Sequence, residues 1–402
     1  MQLELLHLRA GSVSDWKRVV RNVVGITDRP ELWTSRQRER ARRSRRASLS
    51  TNRPGCCRRV KAAPPRPIRS GLMNEVNPME LVNRYFEKLT PVPPKTIPER
   101  LVHYTTVPGA QGILNTNRLW STDARYLNDS TELTYGIEVG REALSRAFSA
   151  AGDARIAAMR DVAPTLLDPT VFRSRVPYVT CFCEEPDLLS QWRGYSATAS
   201  PISIAFDLRA KVASDSLPRA SRLGQVIYNR TDQESSAQNL FNKWVSTITP
   251  QLDLWSEQPL LAVRVLEASL LELVLLFKHS AFSEEREWRL ITPFDPTALA
   301  LELGNSDRAA IVMSHLPWST SSDLPELRFR PSHLGLTPYI ELDLAEKIGP
   351  SAGRLPLTEV MIGPSENASL AAQSMSLFLT VKGYSSAVTP VSTSAIPLRA
   401  QL

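Results

Sequence analysis

The stretch that indicates the fold class runs from residue 178 to residue 207 and reads YVTCFCEEPDLLSQWRGYSATASPISIAFD. Its two ends, YVTCFC and ISIAFD, are short, rich in β-branched and aromatic residues, and alternate apolar with small polar positions. That pattern is typical of β-strands. The polar loop between them carries Trp192 and Arg193. Because the rest of the chain contains clear helical patterns, the sequence predicts an α+β fold.

The neighbouring segments support the same class. We expect further strands at 101–105, 118–121, 287–292, 326–330 and 338–342, and helices at 108–114, 132–148, 154–167, 235–247 and 260–278. Near the end, a strand at 359–362, a helix closed by Gly383 and a strand at 387–393 predict a β-α-β unit. The sequence therefore predicts a single mixed domain over residues 73–402, with a central, partly antiparallel sheet flanked by helices.

Composition and charge divide the chain at about residue 72. The 402 residues are 42% hydrophobic and 22% charged, which excludes collagen, a coiled coil and a wholly disordered chain. The net charge is +7, yet residues 1–72 hold 18 basic and 5 acidic side chains, while the other 330 residues hold 30 basic and 36 acidic. All the basic excess lies in the first part, and the acidic remainder counts against nonspecific duplex binding.

Residues 1–72 end in an Arg/Ser/Pro-rich tract whose densest run, residues 36–46, reads RQRERARRSRR and has no apolar periodicity. We expect this extension to be disordered. Three interpretations stay open: a nucleic-acid-binding arm, an organelle-type leader, or a translated stretch upstream of a true start at Met73. Aromatic residues for stacking on bases are not interleaved in the tract, which counts against the arm.

Targeting and metal signals are weak. The most apolar window, residues 260–277, contains Arg264, Glu267 and Glu272, which argues against a transmembrane helix. We predict a cytoplasmic protein with no membrane partner. Neither Cys56 with Cys57 nor Cys181 with Cys183 has the C-x-x-C spacing of a zinc or redox site, and the five histidines include no pair at ligand spacing. We therefore expect free thiols and no metal.

Candidate functional residues cluster at four places: 103–105 (HYT), 125–129 (RYLND), 190–195 (SQWRGY), and 278–279 with 284–289 (KH and EEREWR). The motifs G-x-S-x-G, G-x-x-x-x-G-K-[ST] and H-E-x-x-H are absent from the sequence. Their absence removes most hydrolase classes.

The same places carry a family resemblance. The blocks LVHYT, GIL, RLWSTDARYLNDSTEL, VTCFCEEPDLLSQWRGYS, ISIAFD, FKHSAFSEEREWRL and EVMIGP occur in order between residues 100 and 397. Together they resemble the bacterial domain of unknown function 2971. That family brings no established reaction, and residues 1–72 fall outside it.

A more distant resemblance implies a chemistry. The strand with His103, Tyr104 and Thr105, then a helix, then a strand ending near Leu-Trp, resembles the first unit of ADP-ribosyltransferase folds. In such enzymes the strand histidine holds a ribose of NAD, and a late glutamate stabilises the oxocarbenium-like charge that develops as nicotinamide leaves. The resemblance assigns these roles to His103 and Glu287, and strand periodicity would place Glu285 on the same face as Glu287.

The remaining candidates would complete an NAD site. Arg125 or Arg193 would hold the pyrophosphate as a bidentate donor, and Tyr104 or Trp192 would stack on nicotinamide. Asn128 lies beside Arg125 and joins the cofactor-binding set. Structural interpretations stay open for each residue: His103 as a core histidine, Glu132 with Asp129 as a helix cap, and Trp192 with Arg193 as a packing pair.

The sequence thus favours an NAD-dependent ADP-ribosyltransferase-like enzyme that modifies a nucleic acid or a protein, as a toxin or an anti-phage effector. An enzyme that hydrolyses NAD, with water as the acceptor, is the first alternative. A non-catalytic module that binds a nucleotide or nucleic acid is the second.

Overall fold

The computed structural model of the protein describes residues 89, 96–127, 132–161, 177–195, 201–218, 221–257, 259–293, 326–332, 334–345 and 352–397. The predicted extension 1–72, the candidate Asn128 and the last part of the predicted 154–167 helix lie outside these residues.

The strands form two sheets. They are β1 Leu101–Thr105, β2 Leu119–Asp123, β3 Tyr178–Phe182, β4 Ile202–Phe206, β5 Arg222–Gln225, β6 Trp288–Thr292, β7 Arg328–Ser332, β8 Gly335–Leu342, β9 Leu357–Ile362 and β10 Val391–Thr393. The first sheet has the order β1-β4-β9-β10 and the second β5-β6-β3-β2-β8-β7. Strands β9 and β10 are parallel, as a β-α-β unit requires, and the other pairs are antiparallel.

Helices flank these sheets. They are α1 Val107–Thr116, α2 Glu132–Ser149, α3 Ala154–Met159, α4 Leu189–Gly194, α5 Arg209–Ala213, α6 Arg230–Ile248, α7 Leu252–Glu257, α8 Pro259–Val274 and α9 Ala368–Val381. The predicted α+β class is confirmed, with the strands divided between two sheets instead of gathered in one. Among the described residues, no membrane-spanning helix is found.

One core lies between the two sheets. Alternate residues of β3 and β6, such as Phe182 and Leu290, meet Leu101 and Phe206 of the four-stranded sheet in one apolar cluster. The rings of Phe182 and Phe206 make an edge contact with centroids 5.9 Å apart. Because each buried side chain of this size contributes about 1.5–3 kcal/mol, the cluster fixes which face of each strand turns inward.

A second core packs the helices against the outer face of the six-stranded sheet. Helices α2, α6 and α8 share a cluster that includes Phe148 and Trp244, whose ring centroids lie 5.7 Å apart. The alternation of the strands sends Val179 and Ile291 to this outer face, where they contact Leu275 just after α8. The outer face therefore also receives the other odd-numbered residues of β3 and β6, Cys181 and Arg289.

Strand β1 links the two sheets. It pairs with β4 in the first sheet, while Val102 and Cys183 exchange backbone hydrogen bonds of 2.8 Å at the end of β3. The link places His103 beside β3 of the second sheet. This contact between distant segments could not be derived from strand patterns alone.

Gly136 provides a test of the helix packing. A Cβ added there would collide with the backbone carbonyl oxygen of Val274, so Gly136→Ala must push α2 away from α8. We expect the substitution to lower the free energy of unfolding by about 1–3 kcal/mol, measured by urea denaturation. Gly152→Ala is the control, because a Cβ there meets nothing within 4 Å. Equal stability of the two variants would contradict this packing.

Candidate functional site

A cavity of about 320 Å³ lies against the outer face of the six-stranded sheet. It is lined by polar side chains from five strands and from the segments before α2 and β6. The charged and polar lining residues that matter below are His103, Glu132, Cys181, Lys278, Glu285, Glu287, Arg289 and Arg330. His103 and Glu287, the two residues to which the sequence assigned the chemistry, therefore share one cavity.

Lys278 is the centre of an acidic wall. Its Nζ lies 2.6 Å from Glu285 Oε2, 2.9 Å from Glu287 Oε2 and 2.9 Å from Glu132 Oε1. All three hydrogens of the ammonium group can therefore be donated to carboxylates.

Arg289 completes the wall from the strand side. Its Nε donates to Glu287 Oε1 at 2.7 Å, its Nη2 donates to Glu132 Oε2 at 2.6 Å, and its Nη1 donates to the Leu275 carbonyl at 2.7 Å. The side chain is 2% exposed, so these bonds replace its hydration. Three carboxylates thus face two cations, and the wall keeps one net negative charge.

The two glutamates of the EEREWR motif reach this wall by a route that the sequence did not predict. Glu285 ends a 3₁₀ helix, Ser280–Glu285, and Arg286 adopts a left-handed conformation with φ 41°. Strand β6 therefore begins at Trp288, not at Glu287, and strand periodicity does not relate the two carboxylates. The left-handed residue turns the chain so that both approach the same ammonium group, and Tyr228 accepts the Glu287 N–H at 2.8 Å.

The carboxylates of the wall differ in pKa. Burial alone would raise the pKa of Glu287, but the charge and hydrogen bonds of Arg289, together with Lys278, lower that pKa to about 2. Burial raises the pKa of Glu285, although Lys278 opposes the shift. Glu287 is consequently an anion throughout the physiological range, whereas Glu285 is the more basic carboxylate.

His103 faces the cavity as a neutral ring. Burial lowers its pKa to about 4, and the nearby Arg330 charge acts in the same direction. Its Nδ1 lies 2.9 Å from the Cys181 carbonyl, an acceptor, so Nδ1 carries the proton and Nε2 is an acceptor. Cys181 and Glu287 both line this cavity, so His103 and Glu287 lie on the lining next to one residue that the ring of His103 binds.

Tyr104 lines the cavity, and its ring packs against Trp192. Tyr104 is 3% exposed; its hydroxyl donates to the Glu185 carbonyl and accepts the Leu188 N–H, at 2.8 and 2.9 Å. Trp192 is fully buried and is not among the described residues that line the cavity. Both side chains thus make structural contacts, and the stacking role expected for them stays a prediction.

Asp187 holds Trp192 and its loop in place. Its Oδ1 accepts the Trp192 indole N–H at 2.7 Å and the Ser394 hydroxyl at 2.5 Å, and its Oδ2 accepts the Ala395 N–H at 2.9 Å. One carboxylate thus binds the loop after β3 to the segment after β10.

The arginines expected at the pyrophosphate lie elsewhere. Arg125 forms a two-pronged ion pair with the buried Asp123, with Nη2 2.6 Å from Oδ2. Arg193 is exposed on α4, and neither guanidinium lines the cavity formed by the described residues. Thr105 does line it, at the end of β1.

The partners of these residues carry no signal in the sequence. The sequence allows Glu132 to be part of a helix cap, but in the structure its carboxylate binds Lys278 and Arg289. An acidic residue in a first helical turn is ambiguous, because capping and a tertiary ion pair use the same residue type. Arg330, on β7, had no signal in the sequence. Among the described residues, no group of three or more His, Cys, Asp or Glu side chains is arranged to hold a metal ion.

Comparison with known proteins identifies one family. The family model DUF2971, described as a protein of unknown function, matches residues 191–290, and the predicted family resemblance is thereby confirmed. The matched segment includes Lys278, Glu285, Glu287 and Arg289. No curated protein and no solved structure matches the chain.

Removing Arg289 should be severely destabilising. Arg289→Met leaves Glu132 and Glu287 buried with only Lys278 to balance them, and loss of one partner of a buried ion pair costs about 3–5 kcal/mol. Arg328→Met is the control, because Arg328 is 40% exposed and its loss should cost at most about 1 kcal/mol. Chemical denaturation of both variants measures the difference, and similar losses would contradict a buried network.

The neutral state of His103 predicts an acid-side loss of stability. The folded pKa of about 4 lies below the ordinary 6.5, so the unfolded chain binds the proton first and stability falls as the pH drops from 6.5 to 4. His103→Gln should remove this contribution, so the free energy of unfolding of the wild type relative to the variant should decrease over that window.

His279→Asn is the control for this titration. Its ring caps the 3₁₀ helix by accepting the Ala281 N–H, and Asn can do the same. Glu272, whose pKa burial raises to about 7, changes stability in the opposite direction but is present in every variant. If the difference in free energy of unfolding between wild type and His103→Gln does not change with pH, His103 is not a buried, neutral residue.

Proposed function

We propose that the protein is an NAD-dependent ADP-ribosyltransferase-like enzyme whose reaction takes place in this cavity. The observation that carries the proposal is that His103 and Glu287 line one cavity, which brings a neutral hydrogen-bond acceptor and an anion together. A volume of about 320 Å³ is at the lower end of small-molecule pockets, which suits the nicotinamide-ribosyl half of NAD.

Each residue then has a role. The free Nε2 of His103 accepts a ribose hydroxyl and orients the sugar. The acidic wall, with Glu287 as its permanent anion, stabilises positive charge on the ribosyl group. The half-exposed ring of Phe282, which lines the cavity beside Lys278, offers an apolar surface for nicotinamide.

The reaction is a substitution at C1′ of the ribose. The bond from C1′ to the nicotinamide nitrogen breaks, and its electron pair leaves with nicotinamide. A heteroatom of the acceptor forms the new bond to C1′ and releases its proton to Glu285, the more basic carboxylate of the wall. The acceptor is a nucleic acid or a protein, and a cytoplasmic location would provide both together with NAD.

Glu287→Gln tests the central role. Because three carboxylates face two cations, loss of one charge leaves the wall balanced, so the variant should fold. We expect nearly unchanged NAD binding and a fall in turnover of about 10²–10³, since the amide keeps the shape and loses the charge. The assay is nicotinamide release, beside calorimetric NAD binding and a melting curve.

Glu284→Gln is the matched control, because Glu284 is exposed and is not among the residues that line the cavity. A purely structural Glu287 would instead lower the melting temperature of Glu287→Gln and leave turnover per folded molecule intact. Release of nicotinamide with water as the sole acceptor would identify an NAD hydrolase. If the wild type binds NAD and releases no nicotinamide with nucleic acid, protein or water, it is a binding module.

A further inference from the structure

The cavity contains a second cationic group that takes no part in the acidic wall. Arg330 lies on β7 and lines the cavity, where its Nη2 donates to Thr122 Oγ1 at 2.9 Å. Its Nε is buried and has no hydrogen-bond partner in the described part of the chain. No carboxylate of the described residues lies within 4.0 Å of this guanidinium.

A second arginine on the same strand, Arg328, is paired with carboxylates. Arg328 lies 2.9 Å from Glu326 and 3.6 Å from Glu341. The two partly buried arginines of this strand thus differ in their partners: Arg328 has carboxylates, and Arg330 has a hydroxyl and an aromatic ring among the described residues. The Arg330 guanidinium lies 5.7 Å from the centre of the Trp120 ring, a contact that orients it without supplying a negative charge.

Partial burial of a guanidinium without a neighbouring anion is unfavourable, because the desolvation is not offset by a charge partner. Burial accordingly lowers the pKa of Arg330 from its ordinary value. The planar group has donors left to offer, in the fork geometry that matches phosphate oxygens. The Arg330 guanidinium is therefore oriented to bind an anion.

We propose that Arg330, supported by Thr122 and Trp120, is the phosphate-binding residue of this cavity and holds the pyrophosphate of a dinucleotide. This assignment rests on the proposed function for the identity of the dinucleotide. The lining of the cavity then carries both signs of charge: the Arg330 guanidinium, which has no carboxylate partner among the described residues, and the Lys278 wall, whose formal charges sum to one negative charge. A ligand with an anionic pyrophosphate and a ribosyl group that becomes cationic fits this polarity.

Calorimetric titration with ADP and with inorganic pyrophosphate tests the assignment without requiring catalysis. We expect the wild type to bind both, and Arg330→Gln to weaken binding by about 10- to 100-fold, the range for hydrogen bonds to a charged group. Arg330→Lys should restore part of the affinity, because an ammonium supplies charge without the fork. Arg328→Gln is the matched control and should bind like the wild type.

A melting curve separates binding from a structural role. Since the described residues give Arg330 no charge partner, Arg330→Gln should keep or raise the melting temperature, whereas a structural arginine would lower it. Failure of the wild type to bind ADP and pyrophosphate, equal binding by Arg330→Gln, or a lowered melting temperature with unchanged affinity would overturn the assignment.

The test also separates this assignment from the proposed reaction. Arg330-dependent ADP binding in a wild type that releases no nicotinamide would leave the phosphate site standing and remove the transferase. Nicotinamide release with the same KM for NAD in wild type and Arg330→Gln would support the transferase and remove the phosphate site at Arg330.

Discussion

The Arg289 guanidinium is the interaction on which the arrangement of the site depends. It projects from β6 toward the helical layer, where its three nitrogens bind the first residue of α2, the carbonyl that follows α8, and Glu287 just before β6. A single buried side chain thus sets the distance between sheet and helices at the cavity. Because an arginine at this position without anions would be strongly unfavourable, the carboxylates are required by the fold as well as available to a ligand.

The carboxylates serve both the fold and the cavity, and this double role explains why they outnumber the cations that they bind. A purely structural network would tend toward balance, with each cation matched to one carboxylate. Here three carboxylates face the two cations of the wall, and Arg330, on another strand, has no carboxylate within ion-pair distance among the described residues. A ligand that carries both signs of charge would be complementary to this lining.

The sequence predicted local structure better than contacts. The strands at 101–105 and 178–183 and the helices around α2, α6 and α8 were predicted because apolar periodicity and capping residues are local signals. The short β5, and the helix α4 in the polar loop, lack such signals. Motif resemblance indicated His103 and Glu287, which line one cavity, whereas Arg330 and the contacts of Glu132 depend on which strand and helix face that cavity. The burial of Trp192 could not be predicted, because exposed and buried aromatic rings have the same letters in a sequence.

The bonds of Asp187 have a consequence for how the molecule is made. The loop that follows β3 acquires its final anchor only from Ser394 and Ala395, more than two hundred positions later in the chain. A ribosome synthesises the chain from its amino end, so the loop that carries Trp192 lacks these bonds until nearly all of the described chain has emerged. Asp187 therefore couples the packing of a loop near the middle of the chain to one of the last described segments to be made.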